Sequence, residues 1–277
     1  MQPQSIFSPS SYKLFGYSFL ILFFELALIR FIPSNVRIIA YFINLVLVAA
    51  FLGMGVGMLR VKWKRNLTQF FPPLLLLLTG AWVYFSNIMV AAPRTGEAIY
   101  AIYADLSPHS REWGMVPVVS IFFTLSTLPF IALGYAMGRE FKNFPALHAY
   151  AINAAGSLAG LLAFSLLSYF STPPLLWFGL GGLLFLFLAG KQQNLIVSIL
   201  CFGLILYLVH NLYQKNHEIW SPYYKINHYQ NPVFTSINVN GSLHQYMINF
   251  SPPLDSQRAT NDQIKQDYQL PYRFAKN

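Results

Sequence analysis

Apolar residues fill long stretches of the first three-quarters of the chain, and short polar turns separate these stretches. A helix of about 20 mostly apolar residues is needed to cross a bilayer core about 30 Å thick. The pattern therefore predicts an all-α, multi-pass membrane helix bundle with seven spans, of which the sixth is the shortest. Their approximate bounds are 14–32, 38–59, 70–90, 114–137, 147–170, 174–190 and 194–212.

The pattern changes after Leu212, where residues 223–229, 233–240 and 243–250 predict three short strands. Asn240-Gly241, between the second and third strands, is a strong signal for a two-residue hairpin turn. We therefore expect a transmembrane domain over residues 1–212 and a small antiparallel β-hairpin tail over 213–277. About thirty residues of meander bury too little surface to be stable alone. The tail is expected to dock on the membrane domain, on a partner subunit or on a further domain.

Composition and charge agree with a membrane class. Hydrophobic residues make up 55% of the chain and charged residues 10%, against about 25% charged residues in an average soluble domain. The net charge of +9 includes Arg60, Lys62, Lys64 and Arg65, which share one short loop without an acidic neighbour. Such a cluster is typical of a cytoplasmic loop rather than of a nucleic-acid site. We expect no nucleic-acid partner, and a location in a bacterial inner membrane.

The start of the chain and the basic loop also predict an orientation. The first apolar run is too long for the core of a signal peptide, so the first span is expected to remain as an anchor. With seven spans and the 60–65 loop inside, the N-terminus lies inside and the tail outside. The single Cys201 lies within the last span and predicts neither a disulfide nor a metal site.

Two glycine patterns predict close helix packing. Gly53 and Gly57 lie inside an apolar run rather than after a strand, so they do not form a nucleotide loop. Their G-x-x-x-G spacing instead allows two helix backbones to approach closely. Gly156 and Gly160 repeat the same spacing in a later span.

Glu25 falls near the middle of the first span, where an ionised side chain is costly. Arg30 is five residues further on, about 140° around a helix, and is expected to extend towards the interface instead of pairing with Glu25. The candidate partners of Glu25 on other helices are Asn44, His148 and Asn153. This intramembrane cluster predicts either a buried polar clamp between helices or a functional site.

Several segments together carry a resemblance to a known family. They are Phe24–Arg30, Ala151–Gly160, Glu218–Ile226, Val239–Gln245 and Tyr268–Tyr272. In combination they resemble the corresponding parts of membrane-bound spermidine synthase-like proteins, which are related to the aminopropyltransferases of polyamine synthesis. The resemblance implies a multi-span domain followed by a small β-domain and a Rossmann-like catalytic domain. There a deprotonated amine would attack an activated aminopropyl donor, decarboxylated S-adenosylmethionine.

The resemblance also suggests one substrate-binding residue. Soluble spermidine synthases carry an Asp-Gly-x-x-Gln motif whose Gln helps to line the substrate pocket. The similar segment here is Asn240-Gly241-Ser242-Leu243-His244-Gln245, with Asn in place of Asp and one additional residue. Gln245 is the candidate pocket residue, and an exposed strand glutamine is the alternative.

After Tyr272 the family would continue into a Gly-rich donor loop, and the sequence contains neither that loop nor the paired acidic residues that bind the amine. We therefore expect a membrane anchor that is truncated or encoded apart from its catalytic half and is silent alone. It would have no catalytic residue, metal or cofactor of its own, and its expected partners are the lipid bilayer, a Rossmann-like domain or subunit, and further copies of the chain. A cytosolic donor would require the tail inside, against the orientation that the charges predict.

Two other functions stay open. The first is a small transporter or membrane binding protein with Glu25 and Asn153 at a midplane site, although no internal repeat supports it. The second is a scaffold whose hairpins recruit a soluble partner.

Overall fold

A computed structural model of the chain describes residues 9–42, 44–86, 90–91, 113–190, 194–215, 218–230 and 234–248, together with positions 266 and 269. The elements are helices followed by a small sheet. The helices are α1 (Pro9–Asn35), α2 (Arg37–Ala40), α3 (Leu45–Leu59), a 3-10 turn (Leu67–Phe70), α4 (Phe71–Phe85), α5 (Met115–Phe141), α6 (Ala146–Tyr169), α7 (Pro174–Ala189) and α8 (Leu195–Lys215). The two-residue strands β1 (Val90–Ala91) and β2 (Trp113–Gly114) pair in parallel between α4 and α5.

Within the described part of the chain, five helical segments are long and apolar enough to cross a membrane: Pro9–Asn35, Leu67–Phe85, Met115–Phe141, Ala146–Tyr169 and Leu195–Gln214. The prediction of a membrane helix bundle is confirmed to this extent. The count of seven spans is not confirmed, because α3 and α7 have only 15 and 16 residues. At 1.5 Å per residue they are about 22–24 Å long, shorter than the hydrocarbon core.

The second predicted span, 38–59, is interrupted. The chain leaves the helical conformation after Ala40, and α3 begins only at Leu45, with Asn44 at its N-cap position. Pro173 and Pro174 lie at the start of α7, where a missing backbone N–H costs little.

Helix α1 is the centre of the bundle. In its most apolar 18-residue window 67% of the residues are buried, against 17% for α6. Its buried side chains, which include Leu20, Phe24 and Phe31, cover most of the helix circumference. A helix that is apolar all round has no polar face for water and is expected in a core.

Close contacts show the directions of two helix pairs. A Cβ added to Gly156 would overlap the carbonyl oxygen of Phe15, and one added to Gly160 would overlap that of Phe19. Residue numbers therefore rise in the same direction along α1 and α6, so the two helices run parallel.

Helices α3 and α5 form the second parallel pair. A Cβ on Gly53 would overlap the carbonyl oxygen of Thr127, and one on Gly57 would overlap that of Ile131. Both G-x-x-x-G patterns thus lie at contacts between helix backbones.

The bundle has two chemically different ends. At one end, which we call the basic end, Lys13 of α1, Asn66 before the 3-10 turn and Arg139 of α5 line a common cleft. The loop between α3 and the 3-10 turn, with the basic residues 60–65, belongs to this end. The C-terminal ends of α1 and α6 and the start of α7 meet at the other end, where Arg30 contacts Ser168 and Trp177.

A four-stranded antiparallel sheet lies at this second end, which we call the sheet end. Its strands are β3 (Ile219–Trp220), β4 (Lys225–Gln230), β5 (Phe234–Val239) and β6 (Ser242–Ile248), paired in the order β3-β4-β5-β6. Asn240 and Gly241 connect β5 to β6 with φ angles of 50° and 76°. These angles are typical of a type I′ hairpin turn, so the predicted turn is confirmed.

The register of β6 contains one bulge. Ile237 pairs with Gln245 and Asn238 with Leu243, so that His244 is the additional residue in β6. The predicted strand positions 249 and 250 lie outside the described residues.

The contact between α3 and α5 can be tested with neighbouring glycines. We expect Gly57→Ala to lower the free energy of unfolding in detergent by about 1–3 kcal/mol, because the new methyl group must displace the α5 backbone. Gly55→Ala is the matched control, since nothing lies within 4 Å of a Cβ at that position. A loss of thermal stability that is equal in both variants would contradict the assigned contact.

Candidate functional site at the junction of bundle and sheet

Arg30, at the end of α1, joins the bundle to the sheet. Its guanidinium carbon lies 5.1 Å from the ring centroid of Trp177 and 5.5 Å from that of Trp220. The same guanidinium donates hydrogen bonds to Ser168 Oγ on α6 and to the carbonyl oxygen of Ser221. A planar guanidinium can stack on aromatic rings and donate in its plane at the same time. Arg30 therefore contacts α6, α7 and the strand region together.

Trp220 inserts its side chain into the end of the helix core. The residue is 4% exposed, and its ring stacks on Phe31 at 6.3 Å and meets the edge of Trp177 at 5.0 Å. Its indole Nε1 donates to Glu218 Oε2 at 3.2 Å. Of the three docking partners expected for the tail, the structure shows the membrane domain itself.

A buried ion pair lies beside Trp220. Lys225 Nζ is 3.2 Å from Glu218 Oε1, and both side chains are almost fully buried. Lys225 Nζ also donates to Asn35 Oδ1 at the end of α1, and Asn35 Nδ2 donates to the carbonyl oxygen of Phe31. Burial lowers the pKa of Lys225, and the nearby Glu218 carboxylate opposes that shift. The pair thus connects β4 to α1 through charge and amide contacts.

Backbone contacts hold the hairpin turn against β4. Asn240 N donates to the carbonyl oxygen of Lys225 at 2.8 Å, and Lys225 N donates to Asn240 Oδ1 at 3.0 Å. A Cβ on Gly241 would lie 3.8 Å from Arg37 Cγ, so the turn also lies over the start of α2. We call Arg30, Asn35, Trp177, Glu218, Trp220 and Lys225 the junction cluster.

The junction cluster is suited to holding the sheet. Its charges are neutralised or stacked within the protein: Lys225 by Glu218, and Arg30 by two indole rings. A buried pair of this kind is stable only while both partners are present. Its chemistry is therefore that of a clamp between two structural units.

The predicted intramembrane cluster does not come together. Asn153 Oδ1 lies 2.9 Å from Ser18 Oγ, and Ser18 is seven residues, or about 10 Å along the axis, from Glu25. His148 lies about 7.5 Å from Asn153 in the opposite direction along α6, close to the ring of Phe144. Asn44 is exposed in the turn before α3.

Glu25 itself is 3% exposed, and it makes no hydrogen bond or ion pair with the residues that the structure describes. Two polar contacts join α1 to α6 among the described residues: Ser18 with Asn153, nearer the basic end, and Arg30 with Ser168 at the sheet end.

Gln245 lies on β6, the edge strand, opposite Ile237. Its side chain is exposed, as are its neighbours from Ser242 to Met247. Of the quoted segment Tyr268–Tyr272, only Gln269 lies within the described residues.

Sequence reasoning missed most of the junction cluster. The sequence alone places Glu218, Trp220 and Lys225 only within a family-like segment, and it presents Arg30 only as an interfacial cation and as the end of the segment Phe24–Arg30. One signal was available: a tryptophan soon after the last apolar span, two residues after Glu218 and five before Lys225, is unusual for a purely exposed strand.

Comparison of the chain with protein-family models, curated proteins and solved structures found no match. The likeness to spermidine synthase-like proteins therefore rests on the quoted residues alone.

Removal of one charge from the buried pair should weaken the junction. We expect Glu218→Gln to cost about 3–5 kcal/mol, because Lys225 would remain buried without its counter-charge. Hydrogen exchange of the β4 amides measures this loss. The double variant Glu218→Gln/Lys225→Met should lose less than the single variant; a larger loss would show that the pair is not coupled.

Trp220 can be tested separately from the charges. We expect Trp220→Ala to cost about 3–5 kcal/mol and to expose residues 218–230 to limited proteolysis. Tyr223→Ala is the control, because Tyr223 is 82% exposed in the same segment. Equal cleavage of the two variants would contradict the inserted position of Trp220.

Proposed function

We propose that the chain is the membrane-anchoring part of a spermidine synthase-like protein, in which the helix bundle holds the sheet as a fixed platform at one membrane surface. Seven apolar helices would cross a bacterial inner membrane, with α3 and α7 as short crossings. The platform would receive a Rossmann-like catalytic domain or subunit. The chemistry on decarboxylated S-adenosylmethionine would belong to that partner.

The observation that carries the proposal is the contact between two of the family-like segments. Arg30 closes the segment Phe24–Arg30, and Trp220 and Lys225 lie in Glu218–Ile226. These segments are far apart in the sequence, yet their side chains form the junction cluster. If the resemblance had arisen by chance, there would be no reason to expect these two segments to contact each other in the structure.

The bulge in β6 is a second support. The family-like motif ending at Gln245 has one residue more than the soluble motif. A bulge accommodates a single additional residue and keeps the later side chains on their original faces. His244 occupies that position, so Gln245 keeps the orientation that a strand without the insertion would give it.

The directions of the helices support seven crossings. In an alternating bundle the first and fifth crossings run parallel, as do the second and fourth. Helices α1 and α6 form the first of these pairs, and α3 and α5 form the second. Short crossings such as α3 and α7 can be accommodated by local thinning of the bilayer.

Glu25 has no polar partner among the described residues, which weighs against a transporter. A midplane site requires polar groups that converge on one substrate, whereas Asn153 contacts Ser18 about two helical turns away from Glu25. Flux through proteoliposomes that Glu25→Gln abolishes would overturn the anchor proposal in favour of transport.

The partner can be sought directly. We expect the tagged chain to recover a Rossmann-like protein from its native membranes, and Trp220→Ala to lose it, because the platform is then released from the bundle. The purified chain alone should show no turnover of decarboxylated S-adenosylmethionine with an amine. Turnover by the chain itself would contradict the proposal. So would recovery of the Rossmann-like protein by the Trp220→Ala variant at the wild-type level, once proteolysis has shown that the sheet of this variant is displaced.

The orientation has its own test. Lys62→Cys and Ser242→Cys place thiols at the basic end and on the sheet, and the native Cys201 is buried. A partner that uses a cytosolic donor requires the sheet inside, so the proposed function predicts that an impermeant maleimide added to intact cells labels position 62 and not position 242. The charge pattern, which places the basic end in the cytoplasm, predicts the reverse, and labelling of position 242 alone would contradict the proposed function. Labelling of position 62 alone would place the sheet inside, where a cytosolic donor is available.

A further inference from the structure

The cleft at the basic end is a polar opening between the ends of several helices. The polar side chains that line it come from α1, from the residues around the 3-10 turn and from α5: Lys13, Tyr17, Asn66, Thr68, Arg139 and Glu140. Ala189 at the end of α7 completes the lining, so four separate segments of the chain meet at the cleft.

Among the described residues, neither Lys13 nor Arg139 forms an ion pair, although the Glu140 carboxylate lines the same cleft and offsets part of their charge. Glu140 Oε2 instead accepts a hydrogen bond from Asn143 Nδ2 at 3.2 Å. Arg139 lies 5.9 Å from the ring centroid of Tyr135, a contact that leaves its N–H groups able to donate.

The donors around these cations suit an oxyanion. Asn66 Oδ1 accepts from Thr68 N, which directs the amide nitrogen of the same side chain away from that bond. Asn66 and the hydroxyls of Tyr17 and Thr68 thus add neutral donors to the two charged ones. Arginine and lysine with neutral donors are the common set for phosphate groups.

The position of the cleft indicates the source of the phosphate. It lies where apolar helices end, next to a loop with four basic residues and an exposed Trp63, whose ring lies 4.3 Å from the guanidinium carbon of Arg60. Tryptophan and basic residues are typical of the headgroup layer. Basic pockets between transmembrane helices on the cytoplasmic side are suited to anionic lipid headgroups.

From these observations we propose that the cleft binds the phosphate group of an anionic phospholipid, with Lys13 and Arg139 as its charged ligands. The acyl chains of the lipid would lie along the apolar surface beside α1 and α5. The bound lipid would join α1, α5 and the 3-10 turn at the end of the bundle opposite the sheet. The site does not depend on the proposed function of the sheet.

The test is a titration of the detergent-purified full chain by native mass spectrometry. Its ligands are phosphatidylglycerol, phosphatidylcholine with the same acyl chains, and inorganic phosphate. We expect phosphatidylglycerol to bind about tenfold more tightly than phosphatidylcholine. Lys13→Gln/Arg139→Gln should weaken phosphatidylglycerol binding by about 10- to 30-fold. Each Lys or Arg near anionic lipid contributes about 1 kcal/mol of attraction, and the loss of two such contributions corresponds to this change in affinity.

Two further variants separate the cleft from general charge and from misfolding. Lys62→Gln/Lys64→Gln removes the same charge from the same end without touching the cleft, and it should change the affinity by less than about threefold. Lys13→Arg/Arg139→Lys keeps both charges and should keep binding. Arg139→Gln alone changes an exposed residue, so its loss of affinity is measured on a folded protein.

Three results would overturn the proposal. Equal weakening by the two Gln double variants would mean diffuse surface charge. Equal affinity for the two phospholipids would remove the role of lipid charge. Binding of inorganic phosphate as tight as that of phosphatidylglycerol would make a free anion, not a lipid, the ligand.

Discussion

The insertion of Trp220 beside Arg30 is the contact on which the rest of the architecture depends. A sheet of four short strands cannot bury enough apolar surface to fold alone, and this one obtains its core from the end of the helix bundle. Trp220 fills the space between Phe31 and Trp177, while Arg30 donates to both sides of the junction. The charge remains tolerable there because two indole rings and two oxygen acceptors replace its water. Without this contact the sheet would not be packed against the helix bundle.

The contact is possible because α1 is held at a defined height in the bundle. Small residues allow α6 to approach the backbone of α1, and the carbonyl oxygens of Phe15 and Phe19 lie where larger side chains would stand on Gly156 and Gly160. Such a fit resists sliding, because a shift along the axis would bring side chains against backbone. Arg30 and Asn35 therefore emerge at the same level as Ser168 and the start of α7. The position of the sheet follows from the packing of helices well below it.

The two ends of the bundle consequently differ in chemistry. At the sheet end Lys225 pairs with Glu218, and the guanidinium of Arg30 stacks on Trp177 and Trp220. The basic end leaves Lys13 and Arg139 without a described carboxylate partner. A phosphate group bound among the helix ends, as proposed above, would supply a counter-charge to these two cations.

Local pattern determined the class of this protein. Apolar length predicted membrane helices, Asn240-Gly241 predicted the hairpin turn, and glycine spacing predicted where backbones approach, because each signal is contained within a few turns or a few residues. Tertiary structure alone decided how these parts meet. Helices that are apolar on every side carry no periodic signal for rotation or height, so the sequence could not show that Asn153 contacts Ser18 instead of Glu25. Nor could it show that α3 is shorter than a bilayer core, or that Trp220 docks against Phe31. Those outcomes depend on the vertical offset between helices, which only close packing of the whole bundle establishes.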